Sequence, residues 1–116
     1  MAGHRIEHLQ ETIRQKLSTI LIREAQDPRF RLVTIVGVDL SRDLSSARVS
    51  FSTFDSETNI GDLTDSLNRA AGFFGHILGK TLSTRHTPRL HFHYDPGFDN
   101  AQEMEVLLKK VREEDG

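Results

Sequence analysis

The apolar residues of this chain change their spacing several times, and each change limits the kind of element that can form there. Ile6, Leu9, Ile13, Leu17, Ile20 and Leu21 recur every three or four residues, the repeat of one face of an α-helix. Glu7, Glu11, Arg14, Lys16 and Arg23 lie between them, so the helix buries a single stripe. Pro28 disfavours helical geometry at the residue before it, and the spacing predicts an end near Ala25. From Leu32 to Leu40 the period falls to two, with Leu32, Thr34, Val36, Val38 and Leu40 on one expected face of a strand. The turn-forming residues 41–46 lead into a second alternating run, in which Ala47, Val49 and Phe51 oppose Arg48, Ser50 and Ser52. That pattern predicts an antiparallel hairpin.

Helical spacing returns with Leu63, Leu67, Ala70, Ala71, Phe74, Ile77, Leu78 and Leu82, and this stripe runs straight through Gly72 and Gly75. A glycine inside a helix costs about 1 kcal/mol relative to alanine. The two together predict a pair of helices meeting at a kink near Ala71 and Gly72. Pro88 opens a third expected strand, with Leu90, Phe92 and Tyr94 facing the core and Arg89, His91 and His93 facing away. After the turn Asp95-Pro96-Gly97, the spacing of Ala101, Met104, Leu107, Leu108 and Val111 predicts a last helix. Asp99 or Asn100 would cap it, and Lys109, Lys110 and Arg112 would lie near its C-terminal end. Helix, strand, strand, kinked helix pair, strand, helix is an α+β order. A three-stranded mixed sheet with the helices on one face accommodates it economically.

The length of 116 residues allows one domain spanning 1–116, with the last few residues expected to be flexible. Zero cysteines exclude a disulfide framework, a thiolate zinc site and a cysteine nucleophile, and suit a reducing compartment. The N-terminus carries histidines and charges where a secretory signal would place its apolar core, and no run approaches the roughly 20 apolar residues of a membrane span. A cytoplasmic protein with no membrane association is the expectation.

A formal net charge of -2 argues at first against a nucleic-acid partner. Along the chain it resolves into opposed regions. Residues 66–94 hold no acidic group and carry Arg69, Lys80, Arg85 and Arg89, a local charge of +4, together with His76, His86, His91 and His93. Residues 95–116 hold three basic and seven acidic groups, giving -4. A polyphosphate would be drawn to one region and repelled from the other. The solvated face of a helix and strand is the plainer account of the four cations. Their position beside a kinked helix pair, and a preference for arginine of 11 Arg to 4 Lys, favour phosphate recognition.

Other motifs carry less. His91-x-His93 sets two imidazoles on one strand face and could chelate a divalent metal if His86 or Asp95 approached; an exposed strand face explains the same spacing. His4 and His8 stand one helical turn apart and suit a solvated helix start. Gly72-Phe73-Phe74-Gly75 spells Gly-x-x-Gly, the backbone clamp of KH domains, but its central residues are apolar and Phe74 fits the core stripe. No Walker loop, dinucleotide fingerprint or nucleophile elbow occurs. The expectation is a protein that is not an enzyme and needs no cofactor or metal. Two alternatives are a small metal-dependent hydrolase using His86, His91 and His93, and a protein-binding adaptor working through the acidic last helix.

Several fragments, in order, coincide with one family. They are Asp27-Pro28-Arg29, Val36-Gly37-Val38, Leu40-Ser41-Arg42-Asp43-Leu44 and Ala47-x-Val49, then Leu67-Asn68-x-Ala70-Ala71-Gly72-Phe73 and Leu78-Gly79-Lys80-x-Leu82, then Arg85, Pro88, Leu90, Phe92 and Asp95. From Arg5 to about Val111 the chain resembles bacterial ribosome-binding factor A. The resemblance implies a type II KH-like domain, in which an Ala-x-Gly kink, here Ala70-Ala71-Gly72, takes the place of the Gly-x-x-Gly loop. It implies a monomeric, non-catalytic factor that binds the immature 30S small subunit and 16S rRNA, assists late assembly and 5′-end maturation, and matters most in the cold. Other late assembly factors, a GTPase among them, would be further partners. The RNA-binding residues expected from the cationic stretch beside the kink are Arg69, His76, Lys80, Arg85, His86 and Arg89. Many members have arginine at the position of Gly75, so this chain carries one cation fewer there.

Overall fold

The structure, a computed structural model, describes residues 2–55, 57–82 and 86–96. Helix α1 runs Ala2–Arg23, and a short 3-10 helix, Pro28–Leu32, follows it. Strands β1 (Val33–Leu40) and β2 (Ser46–Thr53) form the expected antiparallel hairpin. Helices α2 (Ile60–Arg69) and α3 (Ala71–Thr81) then cross over to β3 (Arg89–Tyr94), which pairs parallel to β2. A parallel pair needs such a crossover, because a tight turn cannot return the chain in the same direction. The sheet order β1-β2-β3 makes it mixed, and the α+β architecture is as the hydrophobic periods predict. The expected last helix over 101–111, with its caps, lies outside the described residues.

The buried residues come from every element. Ile13, Leu17, Ile20 and Leu21 of α1, Leu63 and Leu67 of α2, and Phe74 and Leu78 of α3 pack on Ile35, Val38, Ala47, Val49, Phe51, Leu90 and Phe92 of the sheet. Phe74 sits at the centre, with its ring centroid 5.9 Å from that of Phe30 and 6.1 Å from that of Phe92 in edge-to-face arrangements, the geometry favoured by the ring quadrupoles.

Two sequence expectations change. Leu32 is the last residue of the 3-10 helix and 44% exposed, so it is not a strand residue. Within β1 the buried pair is Ile35 and Val38, three apart, because the register slips between Ile35, opposite Phe51, and Gly37, opposite Ser50. Val36 is the extra residue of a β-bulge, and one inserted residue inverts the facing of all that precede it. The expected face of Leu32, Thr34 and Val36 is therefore wrong before the bulge, whereas Val38 and Leu40 after it are correctly placed. The 3-10 helix is a further departure from the residue spacing. Asp27 caps it by accepting from Arg29 N at 3.0 Å, and the Arg29 guanidinium bonds both the Asp27 carboxylate (2.6 Å) and Ser66 Oγ of α2 (2.8 Å). That guanidinium holds the Asp27 carboxyl below the usual range.

Side-chain amides occupy outward-facing groups on both outer strands. Gln10 Oε1 of α1 accepts from Leu40 N at 3.0 Å. On β3, Arg89 N and Asp95 N donate towards β2, so the amide groups of the even-numbered residues face outward. Phe92 is one of these. Asn68 of α2 pairs with it twice, accepting from Phe92 N at 2.8 Å and donating Nδ2–H to Phe92 O at 3.1 Å. This is the donor and acceptor pattern of a neighbouring strand supplied by one carboxamide. Replacing Asn68 by Ala should lower stability by about 1–2 kcal/mol, since it strands a backbone donor and acceptor; an unchanged urea midpoint would refute the role.

The hairpin turn rests on Asp43. Its Oδ1 accepts from Ser45 Oγ (2.7 Å), Ser41 Oγ (2.8 Å) and Ser45 N (3.1 Å), and Leu44 beside it takes a left-handed φ of 61°. The Ser45 hydroxyl first, then that of Ser41, lowers the Asp43 carboxyl to about 2. A carboxyl whose pKa is depressed by folding contributes stability above its unfolded value, near 3.9, and loses it as the pH falls through the folded value. NMR titration should therefore give an Asp43 midpoint near 2, and Ser41→Ala with Ser45→Ala should raise it. A midpoint near 3.9 in the unaltered chain would refute the turn network.

Candidate nucleic-acid interface

The break between α2 and α3 falls at Ala70 (φ -86°, ψ -2°), which closes α2 and begins α3 without a side-chain cap. This is one residue before the expected position. Beyond it, Gly72, Gly75 and Gly79 recur at steps of three and four and form one face of α3. That face, with Ser45, the 87–90 segment, His76 and Lys80, bounds an open groove of about 710 Å³.

The glycines serve different ends. A Cβ on Gly72 or Gly75 would meet nothing within 4 Å, so packing does not demand glycine at either position. A Cβ on Gly79 would lie 2.5 Å from Thr87 Oγ1, so a side chain here would require the Thr87 hydroxyl to move aside.

The groove gathers three of the six expected RNA-binding residues. His76 and Lys80 rise from α3 and Arg89 from the start of β3. Arg69 lies apart, in a shallow depression with Asp65 and Asn68, where its Nε donates to Asp65 O at 3.4 Å. His86 lines a small apolar pocket with Leu9, Ile13, Leu44 and Pro88. Arg85 lies outside the described residues. Of the expected kink residues, Ala71 and Gly72 line the groove, and Ala70 lines a separate hollow on the other side of the kink.

The histidines of the alternative hydrolase do not converge. His91 and His93 are exposed on the sheet face opposite the buried Leu90 and Phe92, while His86 belongs to the separate pocket. Among the described residues no three His, Cys, Asp or Glu side chains are placed to hold a metal ion. Among them, too, no helix is long and apolar enough to cross a membrane.

Fold and groove together define an α+β domain that presents a cationic channel beside a broken helix pair. The family model for ribosome-binding factor A matches residues 5–108, and the chain belongs to that family. It is 39% identical over 111 residues to ribosome-binding factor A of Thioalkalivibrio sulfidiphilus, covering 96% of this chain and 86% of that one. The Desulfitobacterium hafniense protein of the same name is 36% identical over 115 residues, covering 99% and 92%. Among solved structures, the crystal structure of ribosome-binding factor A from Thermus thermophilus superposes with a TM-score of 0.68 at 28% identity, covering 77% of this chain and 94% of that one. A Thermus thermophilus homology model fitted into the cryo-EM map of a 30S complex gives 0.63 at 30% identity, covering 76% and 92%.

The close approach of α3 to the segment before β3 yields a direct test. Gly79→Ala would gain helix propensity yet displace Thr87. In a double-mutant cycle with Thr87→Ala the two changes should couple by at least about 0.5 kcal/mol, with Thr87→Ala relieving the cost of Gly79→Ala. Additive effects would contradict the contact.

Proposed function

We propose that this protein binds the immature 30S subunit by taking 16S rRNA into the groove beside α3. The observation that carries the reading is a bare glycine face next to Lys80, Arg89 and His76. A phosphate backbone needs both cations and close access to the surface, and a helix without side chains along one face supplies the access. A relative fitted into the map of a 30S complex supports the same partner.

Lys80 and Arg89 would hold phosphate or sugar oxygens, Arg89 with two parallel hydrogen bonds. His76 would contribute a ring N–H as a hydrogen-bond donor. Arg69, Arg85 and His86 would serve as flanking contacts. The kink at Ala70-Ala71-Gly72 sets the angle at which α3 presents the groove, the part played in type II KH domains by a Gly-x-x-Gly loop. The protein would act as a cytoplasmic monomer and without catalysis. Binding one RNA conformation more tightly than another suffices to favour assembly. Late assembly, 5′-end maturation of 16S rRNA, a heightened need in the cold, and encounters with other assembly factors such as a GTPase all belong to this reading.

Reversing Lys80 and Arg89 to Glu should abolish co-sedimentation with immature small subunits while leaving the circular dichroism spectrum unchanged. Binding of the unaltered chain to protein-free 16S rRNA should also fall steeply with salt, as counterion release requires. Retained co-sedimentation of the double variant would remove the groove from the mechanism.

A further inference from the structure

A second hollow, of about 360 Å³, shares no lining residue with the groove. Phe30, Phe74 and Ala70 line its apolar part, and Phe73 lines it with 52% of its surface exposed. The Phe73 and Phe74 ring centroids are 5.8 Å apart, so the interior is largely aromatic. An aromatic ring half in water beside an open hollow is the arrangement of an unfilled side-chain site.

The electrostatics select the occupant. Glu24 and Asp27 contribute carboxylates to the lining, and no Lys or Arg does. Asp27 is engaged by Arg29, whereas Glu24 is exposed and forms no ion pair among the described residues. Helix α1 ends at Arg23, directly before Glu24; Arg23 answers the partial negative charge of the helix C-terminus, which leaves the Glu24 carboxylate as the unpaired charge in the lining among the described residues. That carboxylate favours a cation here and repels a phosphate.

We propose that the hollow receives an arginine side chain from a second, basic protein. Its aliphatic stem would lie along Ala25 and Ala70, over the buried rings of Phe30 and Phe74. Its guanidinium would stack on Phe73 and pair with Glu24. A planar guanidinium makes both contacts at once, which a lysine ammonium cannot. A nucleobase could stack on Phe73 as well, but it would bring its phosphates towards Glu24. The kink thus separates two surfaces of opposite preference, a cationic groove bearing Ala71 and Gly72 and an anionic aromatic hollow bearing Ala70. The proposal stands whether or not the groove takes RNA.

The test uses the full chain and two short peptides, acetyl-Gly-Arg-Gly-amide and its uncharged citrulline counterpart. The Phe73 ring resonances should shift on titration with the arginine peptide, with roughly threefold weaker binding for the citrulline peptide and for the arginine peptide to a Glu24→Gln chain. Phe73→Leu, which keeps an apolar side chain, should weaken binding similarly while leaving the groove's salt-dependent RNA binding intact. Equal responses to the two peptides, no response, or a Phe73 shift produced only by an RNA oligonucleotide would overturn the assignment. So would nuclear Overhauser contacts from Phe73 to residues 97–116 or to a second copy in the chain alone, because the hollow would then have another occupant.

Discussion

A single carboxamide ties the helical crossover to the sheet. Asn68, near the C-terminal end of α2 and just before the break at Ala70, bonds both backbone groups of Phe92 on β3. The helix pair must span from the end of β2 to the start of β3; its Leu63, Leu67, Phe74 and Leu78 pack on the sheet, and this tie adds a directional contact to that packing. With it, the position of Ala70 relative to β3 is set, and so is the line that α3 follows beyond the break. Gly79 then lies against the Thr87 side chain, with room for a Cβ only if the Thr87 hydroxyl moves, a second contact farther along the same helix. Between these two points lies the cationic groove. One of these contacts, Gly79 against Thr87, lies in the groove wall itself, and the other, Asn68 with Phe92, lies outside it.

Much of this was legible from residue spacing. The 3.6-residue stripe of α1, the alternation of β2 as far as Phe51 and the apolar side of β3 each appear in the sequence as they do in the structure, because the elements lie against a single core; Ser52, expected on the opposite face of β2, is buried as well. The helix break was legible too, through the cost of glycines in a helical run, although it falls one residue earlier at Ala70. The bulge at Val36 was not. A β-branched residue fits either face of a strand, and nothing in Val33-Thr34-Ile35-Val36 marks which valine will be left unpaired. Asn68 was equally silent, since an asparagine near a helix end usually signals a cap, and its partner lies 24 residues away. The hollow beside Phe73 required knowing that the segment after α1 returns to the kink. Periodicity carries no information about that.

The cations illustrate the same limit in electrostatic form. An acid-free stretch indicates that charge is segregated along the chain, but only three dimensions show where it is segregated. His76, Lys80 and Arg89 converge on the groove, while Arg69 turns to the neighbourhood of Asp65. A net charge of -2 is thus compatible with a surface that attracts polyanions, because screening over about 8–10 Å lets each face act on its own.

The groove itself is built from missing atoms. Its floor at Gly72 and Gly75 is open because nothing projects from the helix there, although a methyl group at either site would touch nothing. Helix α3 would be intrinsically more stable with alanine at both, by about 1 kcal/mol each. Stability and access therefore pull in opposite directions at these positions. Selection for a hardier fold alone would fill the channel one methyl group at a time, leaving a better helix with no room for a backbone against it.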